Sequence, residues 1–303
     1  KGAIILISII LTLFIITSVL ALDELTQIKK GYNWLQSKAV GKWANLNTKQ
    51  HTFSLLAMQY KLTPSQIDSS IKALSQKSYA NGTCWPGPSE SSCSAIDTAL
   101  AKIALDSTGK DPSNASLWLM NKTTTPYLNI NWYLQLIQSP ESEVRCLIYY
   151  DGGEHEIDIA KDGKLSGEAG SCFNIAEQYW LNLQPACADK TFNISCNDTI
   201  SANFIFKEGS NWFVTGNLVN IPQLETRAIN LTTKCVTQGG SCNYEATLWT
   251  AYAFTLAGRQ DIARTFVPYL VMEAPNYKSY LPEAFLFRIT GKSSYADYIA
   301  TLQ

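Results

Sequence analysis

The 303-residue chain is short of the residues that usually carry chemistry. It has two histidines, His51 and His155, and three methionines. Two histidines cannot supply the ligand clusters of a zinc enzyme, and none of the cysteine spacings matches a zinc or haem-attachment site. Charged residues make up 16% of the chain and the net charge is −1. No basic patch stands out, so nothing argues for nucleic acid as a partner. No group of candidates forms a catalytic constellation, and the expected function is non-catalytic, with no cofactor and no metal.

Charge is also missing locally, and there the absence is informative. From Ala3 to Leu22 (AIILISIILTLFIITSVLAL) there is no charge, proline or glycine. Twenty helical residues span roughly 30 Å, the hydrocarbon thickness of a bilayer. Such a run can be a secretory signal, a membrane anchor or a helix packed among copies of itself. As a packed helix it presents Ala3, Ile4, Ile5, Leu6, Ile9, Ile10, Leu13, Phe14, Ile16 and Leu20.

Against this stand eight cysteines, which fit an oxidising compartment. Proximity along the chain favours Cys84–Cys93, Cys146–Cys172, Cys187–Cys196 and Cys235–Cys242, although eight cysteines allow 105 connectivities. Six Asn-x-Ser/Thr sequons, at Asn81, Asn114, Asn121, Asn193, Asn197 and Asn230, point to an extracellular, glycosylated surface.

Taken in order, residues 23–39 show helical periodicity, and Lys49 to Tyr60 a second helix. Thr63-Pro64 starts a third, with a threonine cap and proline at the first turn. Ser94 to Ser107 follows a Gly/Pro-rich cysteine loop and ends at Gly109. Residues 242–259 repeat that stretch: Cys93 aligns with Cys242, Thr98 with Thr247, Ala104 with Ala253, Gly109 with Gly258 and Lys110 with Arg259. Between the copies the periodicity turns to alternation. Asn131–Ser139, Glu143–Tyr150 and Glu154–Lys161 read as strands, Ile200–Lys207 and Trp212–Asn217 as a hairpin, and Cys172–Leu183 as a short helix.

Two family resemblances rest on these residues. Lys1-Gly2 before the unbroken apolar run is similar to the N-terminus of archaeal type IV pilins, though the run lacks the glutamate that bacterial pilins carry. The resemblance implies cleavage by a prepilin peptidase, export and pilus-assembly partners in the membrane, and bundling of residues 1–22 into a homo-oligomeric filament core. The repeated unit, with Asp97-Thr98-Ala99 and Ala104-Leu105 to Gly109, resembles the α/α toroid of terpene cyclases, protein prenyltransferases and complement thioester domains. Their catalytic motifs are absent here: no Asp-x-Asp-Asp, no Cys-Gly-Glu-Gln and no Asp/Cys/His zinc set.

The expected fold is therefore α+β: a hydrophobic N-terminal helix (1–22), a toroid-like helical domain (23–125 and 221–303) and a small inserted antiparallel β-domain (126–220). The expected function is a glycosylated subunit of an extracellular pilus-like filament, membrane-inserted before assembly. The alternatives are an anchored or secreted surface-binding protein, an adhesin or receptor, and an exported toroid enzyme. The candidate sites are modest. Glu154, Glu156 and Asp158 alternate on one strand, as a calcium or paired-carboxylate site would, or as a solvated face does. His51 could serve as a base or sit in the core. Trp85, Trp118, Trp132, Trp180, Trp212 and Trp249 could line a carbohydrate groove or fill the core, and Asp97 could face a toroid cavity or pair within its helix.

Overall fold

A computed structural model describes residues 26–88, 92–126, 128, 130–139, 142–209 and 211–302. Residues 1–22, where the filament-core assignment falls, lie outside that set. Among the described residues no helix is long and apolar enough to cross a membrane. The chain divides between Ala115 and Ser116 into two compact units.

The first unit follows local signals closely. Helix α1 covers 26–39, and a single 3-10 turn spans Trp43–Asn45. Helix α2 (Thr48–Met58) starts in a capping box: the Asn47 side chain accepts from the Gln50 amide while the Gln50 side chain accepts from the Asn47 amide. Helix α3 (Pro64–Gln76) has the same box built from Thr63 and Gln66, with Pro64 at its first turn. Strands β1 (Trp85–Pro86) and β2 (Cys93–Ser94) form a hairpin closed by the Cys84–Cys93 disulfide. Helix α4 (Ala95–Ser107) leaves it under a Ser94 cap, and α5 (Ser113–Asn121) carries the chain across the boundary. Leu55, Leu74, Trp85, Ala101 and Ala104 are completely buried together. The Trp85 indole N–H donates to the Leu74 carbonyl at 2.8 Å, so its one polar group is satisfied inside that core.

The second unit is dominated by sheet. After β3 (Thr123–Thr124) come β4 (Trp132–Gln138), β5 (Val144–Tyr150), β6 (Gly153–Ile159) and β7 (Leu165–Gly167). Then follow β8 (Phe173–Ala176), β9 (Trp180–Leu183), β10 (Thr191–Cys196), β11 (Ile200–Glu208), β12 (Asn211–Ile221) and β13 (Thr226–Asn230). Strands β4–β13 make two five-stranded antiparallel sheets, ordered β13-β10-β5-β6-β7 and β12-β11-β4-β9-β8. They pack face to face: Phe192 of β10 meets Phe173 of β8 at 4.5 Å and Phe204 of β11 at 6.2 Å between ring centroids.

Beyond the sandwich, β14 (Cys235–Gln238) pairs with both β3 and β15 (Ser241–Cys242). Helices α6 (Tyr244–Leu256), α7 (Gln260–Ala263), α8 (Val267–Glu273), α9 (Pro282–Thr290) and α10 (Ser293–Ala300) complete the chain. Lys292, the cap of α10, lies over the Phe213 ring at 4.4 Å.

The internal repeat is realised bond for bond. Thr98 Oγ1 accepts from the Trp85 amide at 3.0 Å and donates to the Ser94 carbonyl at 2.7 Å. Thr247 Oγ1 accepts from the Val236 amide at 2.9 Å and donates to the Asn243 carbonyl at 2.7 Å. Each threonine thus ties a disulfide-closed hairpin to the helix it launches. Gly109 and Gly258 end the two helices at φ +69° and +73°, a conformation that glycine adopts without strain.

Three expectations need correction. The architecture is not a helical toroid with a small β insert. It combines helices with four antiparallel sheets, two of them five-stranded, because alternation persists through residues read otherwise. Residues 172–183 are not a helix but the β8–β9 hairpin, with Glu177 and Gln178 turning it at positive φ. Finally, Cys146 bonds Cys196 and Cys172 bonds Cys187. Strands β5 and β10 are neighbours and set Cys146 directly opposite Cys196, a contact that chain proximity does not reveal.

Candidate functional site

The sandwich has two outer faces, and they differ. On the β12-β11-β4-β9-β8 sheet, Trp132, Leu134, Phe204 and Phe206 point inward and are buried. Period-two alternation therefore turns Tyr133, Ile205, Lys207, Trp212, Val214 and Trp180 outward. Register pairs Ile205 with both Tyr133 and Val214, and Lys207 with Trp212. The rings converge: Trp180 and Trp212 centroids are 4.6 Å apart at 39°, and Tyr133 stands edge-on to Trp212 at 5.2 Å and to Trp180 at 6.3 Å. Tyr179 extends the cluster past Trp180 at 6.4 Å and is exposed. All three central rings are half-buried, and Ile205, paired with Tyr133 across the strands, is buried.

Polar groups border this aromatic face. Lys207 Nζ sits 5.3 Å from the Trp212 ring centre, an attraction between a cation and the negative face of an indole. Asn182 donates to the Trp132 carbonyl at 3.3 Å. Asn203, two residues before Ile205 on the same side of β11, is 3% exposed, and among the described residues its side-chain oxygen accepts no hydrogen bond.

The opposite outer face, on β13-β10-β5-β6-β7, is hydrophilic. Asn193 is exposed between the inward Phe192 and Ile194 of β10, and Asn230 pairs across from Thr191. Asn197 follows β10, where its side-chain oxygen accepts from the Arg145 amide at 2.8 Å. The six sequon asparagines are all exposed; three lie on this sheet or its edge, and none lies on the aromatic sheet. Glu154, Glu156 and Asp158 do share the hydrophilic face. Arg145 lies 2.8 Å from Asp158 and 3.4 Å from Glu156, so one positive charge already sits between two of the three carboxylates. Among the described residues, no three His, Cys, Asp or Glu side chains gather as a metal site would require.

His51 is completely buried. Its ring stacks on Trp43 at 4.9 Å, and its nitrogens reach Ser70 Oγ at 2.8 Å and Lys77 Nζ at 3.1 Å. Lys77 also donates to the Trp43 and Leu46 carbonyls. An ammonium can only donate, so Nδ1 accepts from Lys77 and the ring proton sits on Nε2, directed at Ser70. A catalytic histidine must instead accept the serine proton. Burial, and then the Lys77 charge, lower the His51 pKa from 6.5 to about 4, and burial lowers Lys77 to about 8. The group is a structural knot joining α2, α3 and the Trp43 turn.

The remaining candidates also serve structure. Trp85 and Trp132 are core residues, Trp118 lies beneath Lys122, and Trp249 packs edge-on to Phe285. Asp97 accepts from the Ser94 hydroxyl at 2.8 Å at the start of α4. A second aromatic knot, with Tyr244 stacked on Tyr277 at 4.4 Å, is closed by the Tyr244 hydroxyl donating to the Leu270 carbonyl. Burial, with Glu283 nearby, pushes the Tyr244 pKa well above its usual range.

All eight cysteines are paired in four disulfides, which suggests an oxidising, extracellular or secreted location. Comparison with known protein families, curated proteins and solved structures gives no match.

Proposed function

We propose that the chain is a non-catalytic structural subunit of an extracellular, pilus-like filament. The observation that carries this reading is the uncharged run Ala3–Leu22, joined to a disulfide-stapled body. In this reading the runs of many copies bundle into a core, and the glycosylated sandwich and helices form the sheath. Because lipid tails are as apolar as leucine, close packing drives the helices out of the membrane and into the bundle. Ser8, Thr12, Thr17 and Ser18 add hydrogen bonds between helices there.

The test is Ile9→Lys. A charge at the centre of an apolar helix costs about 3 kcal/mol in each copy that must bury it. Filaments should be lost while the body keeps its four disulfides and its fold. Filaments of normal yield would overturn the reading.

A second reading, an anchored surface-binding protein, is favoured by the aromatic face of Tyr133, Trp180 and Trp212. It expects a monomer that captures a ligand on that face.

A further inference from the structure

We propose that the aromatic face of one copy seats an N-linked glycan carried on the hydrophilic face of the next copy. The inference deepens the filament reading and rests on it.

The ligand class follows from the face itself. Lys207 is the one charged side chain at its outward positions among the described residues, so a ligand of high charge finds no counterpart there. A pyranose is amphipathic: one face presents C–H groups, and the edges present hydroxyls. The C–H face suits the electron-rich surfaces of Trp180, Trp212 and Tyr133, which are half-buried and already held against one another. The hydroxyl edge suits the bordering amides. Asn203 lies just beneath this face with its side-chain oxygen unpaired among the described residues, and a ligand hydroxyl reaches it only where the side chains covering it give way.

The source of the sugar follows from the other face. Asn193, Asn197 and Asn230 cluster on the opposite sheet and its edge, while the aromatic sheet carries no sequon. Asn197 engages the Arg145 amide through its oxygen, which leaves that bond independent of the nitrogen a glycan would occupy. The two complementary surfaces therefore sit back to back on one sandwich and cannot meet within a copy. A contact between unlike faces is heterologous, and where its rotation does not close into a ring it repeats from copy to copy as an open helix, the symmetry a filament needs. Each such contact is weak, and copies held together by a helical core would make it at high effective concentration.

The experiment uses the full-length glycosylated chain in detergent, with association followed by sedimentation velocity. One variant removes the rings (Trp180→Ala with Trp212→Ala). A second removes three sequons while keeping the Asn197 hydrogen bond (Ser195→Ala, Asn197→Asp, Thr232→Ala). Each alone should associate at least about tenfold more weakly than the natural chain. Mixed, they should form one-to-one complexes that do not extend, since each supplies one intact face. Glycans released from the protein and added back free should disperse the natural chain, an arm that needs no mutant to fold.

Association that survives loss of the sequons but needs the tryptophans would overturn the proposal in favour of a protein partner. Capture of foreign oligosaccharides without self-association would overturn it in favour of an external glycan. Neither result decides the filament reading, which stands or falls on Ile9→Lys.

Discussion

Acidification from pH 8 to pH 5 should loosen the first unit by about 2 kcal/mol through His51 alone. The folded chain holds this imidazole neutral, with its pKa near 4, whereas the unfolded chain titrates at 6.5. Between those values the unfolded state binds the proton and the folded state does not. Stability is therefore complete above pH 6.5 and falls as pH drops through the window toward 4, by about 3 kcal/mol in all. Protonation would place a second positive charge 3.1 Å from Lys77 Nζ inside a closed site. Hydrogen exchange of the α2 and α3 amides, corrected for intrinsic rates, reads the change locally. Protection should fall about thirtyfold from pH 8 to pH 5, which is that free energy expressed as a ratio. In His51→Gln protection should be lower at every pH, but the His51 contribution to the slope should vanish. An unchanged slope in the variant would refute the reasoning, as would a flat profile in the natural chain.

Two further expectations concern the staples. Replacing Cys146 and Cys196 by alanine opens a loop of 50 residues, against 7 for Cys235 and Cys242. Chain entropy alone then sets the costs at about 4 and about 2 kcal/mol, and calorimetry of the two double variants would contradict this if their order reversed. Thr98→Val and Thr247→Val each strip a backbone amide of its acceptor, at Trp85 and Val236. Both should cost about 1–2 kcal/mol in urea unfolding, and unequal losses would count against the equivalence of the two repeats.

Where a structural cause is local, the sequence shows it plainly. Thr63-Pro64, Ser94 and Gly109 mark helix ends because caps and left-handed glycines act within one turn. The repeated cysteine–threonine–glycine spacing is equally visible, since each copy closes on itself. Residues 172–183 show the limit. Phe173, Ala176, Trp180 and Leu183 fit a helical stripe as well as a hairpin, and Glu177-Gln178 is not a turn pair that sequence rules flag. The Cys146–Cys196 bond and the aromatic face lie further out of reach. Both depend on which strands become neighbours: Trp180, Tyr133 and Trp212 come from β9, β4 and β12 and meet only through sheet register. Asn203 is a plain strand asparagine until its burial without a partner is seen.

The most direct test of the account is intact-mass and N-terminal peptide analysis of native material sheared from the cell surface and pelleted. The account predicts a glycosylated chain that retains Ala3–Leu22 and sediments as filaments. A chain beginning near Leu22 and found in the soluble fraction would contradict it, because the apolar run would then have served export alone.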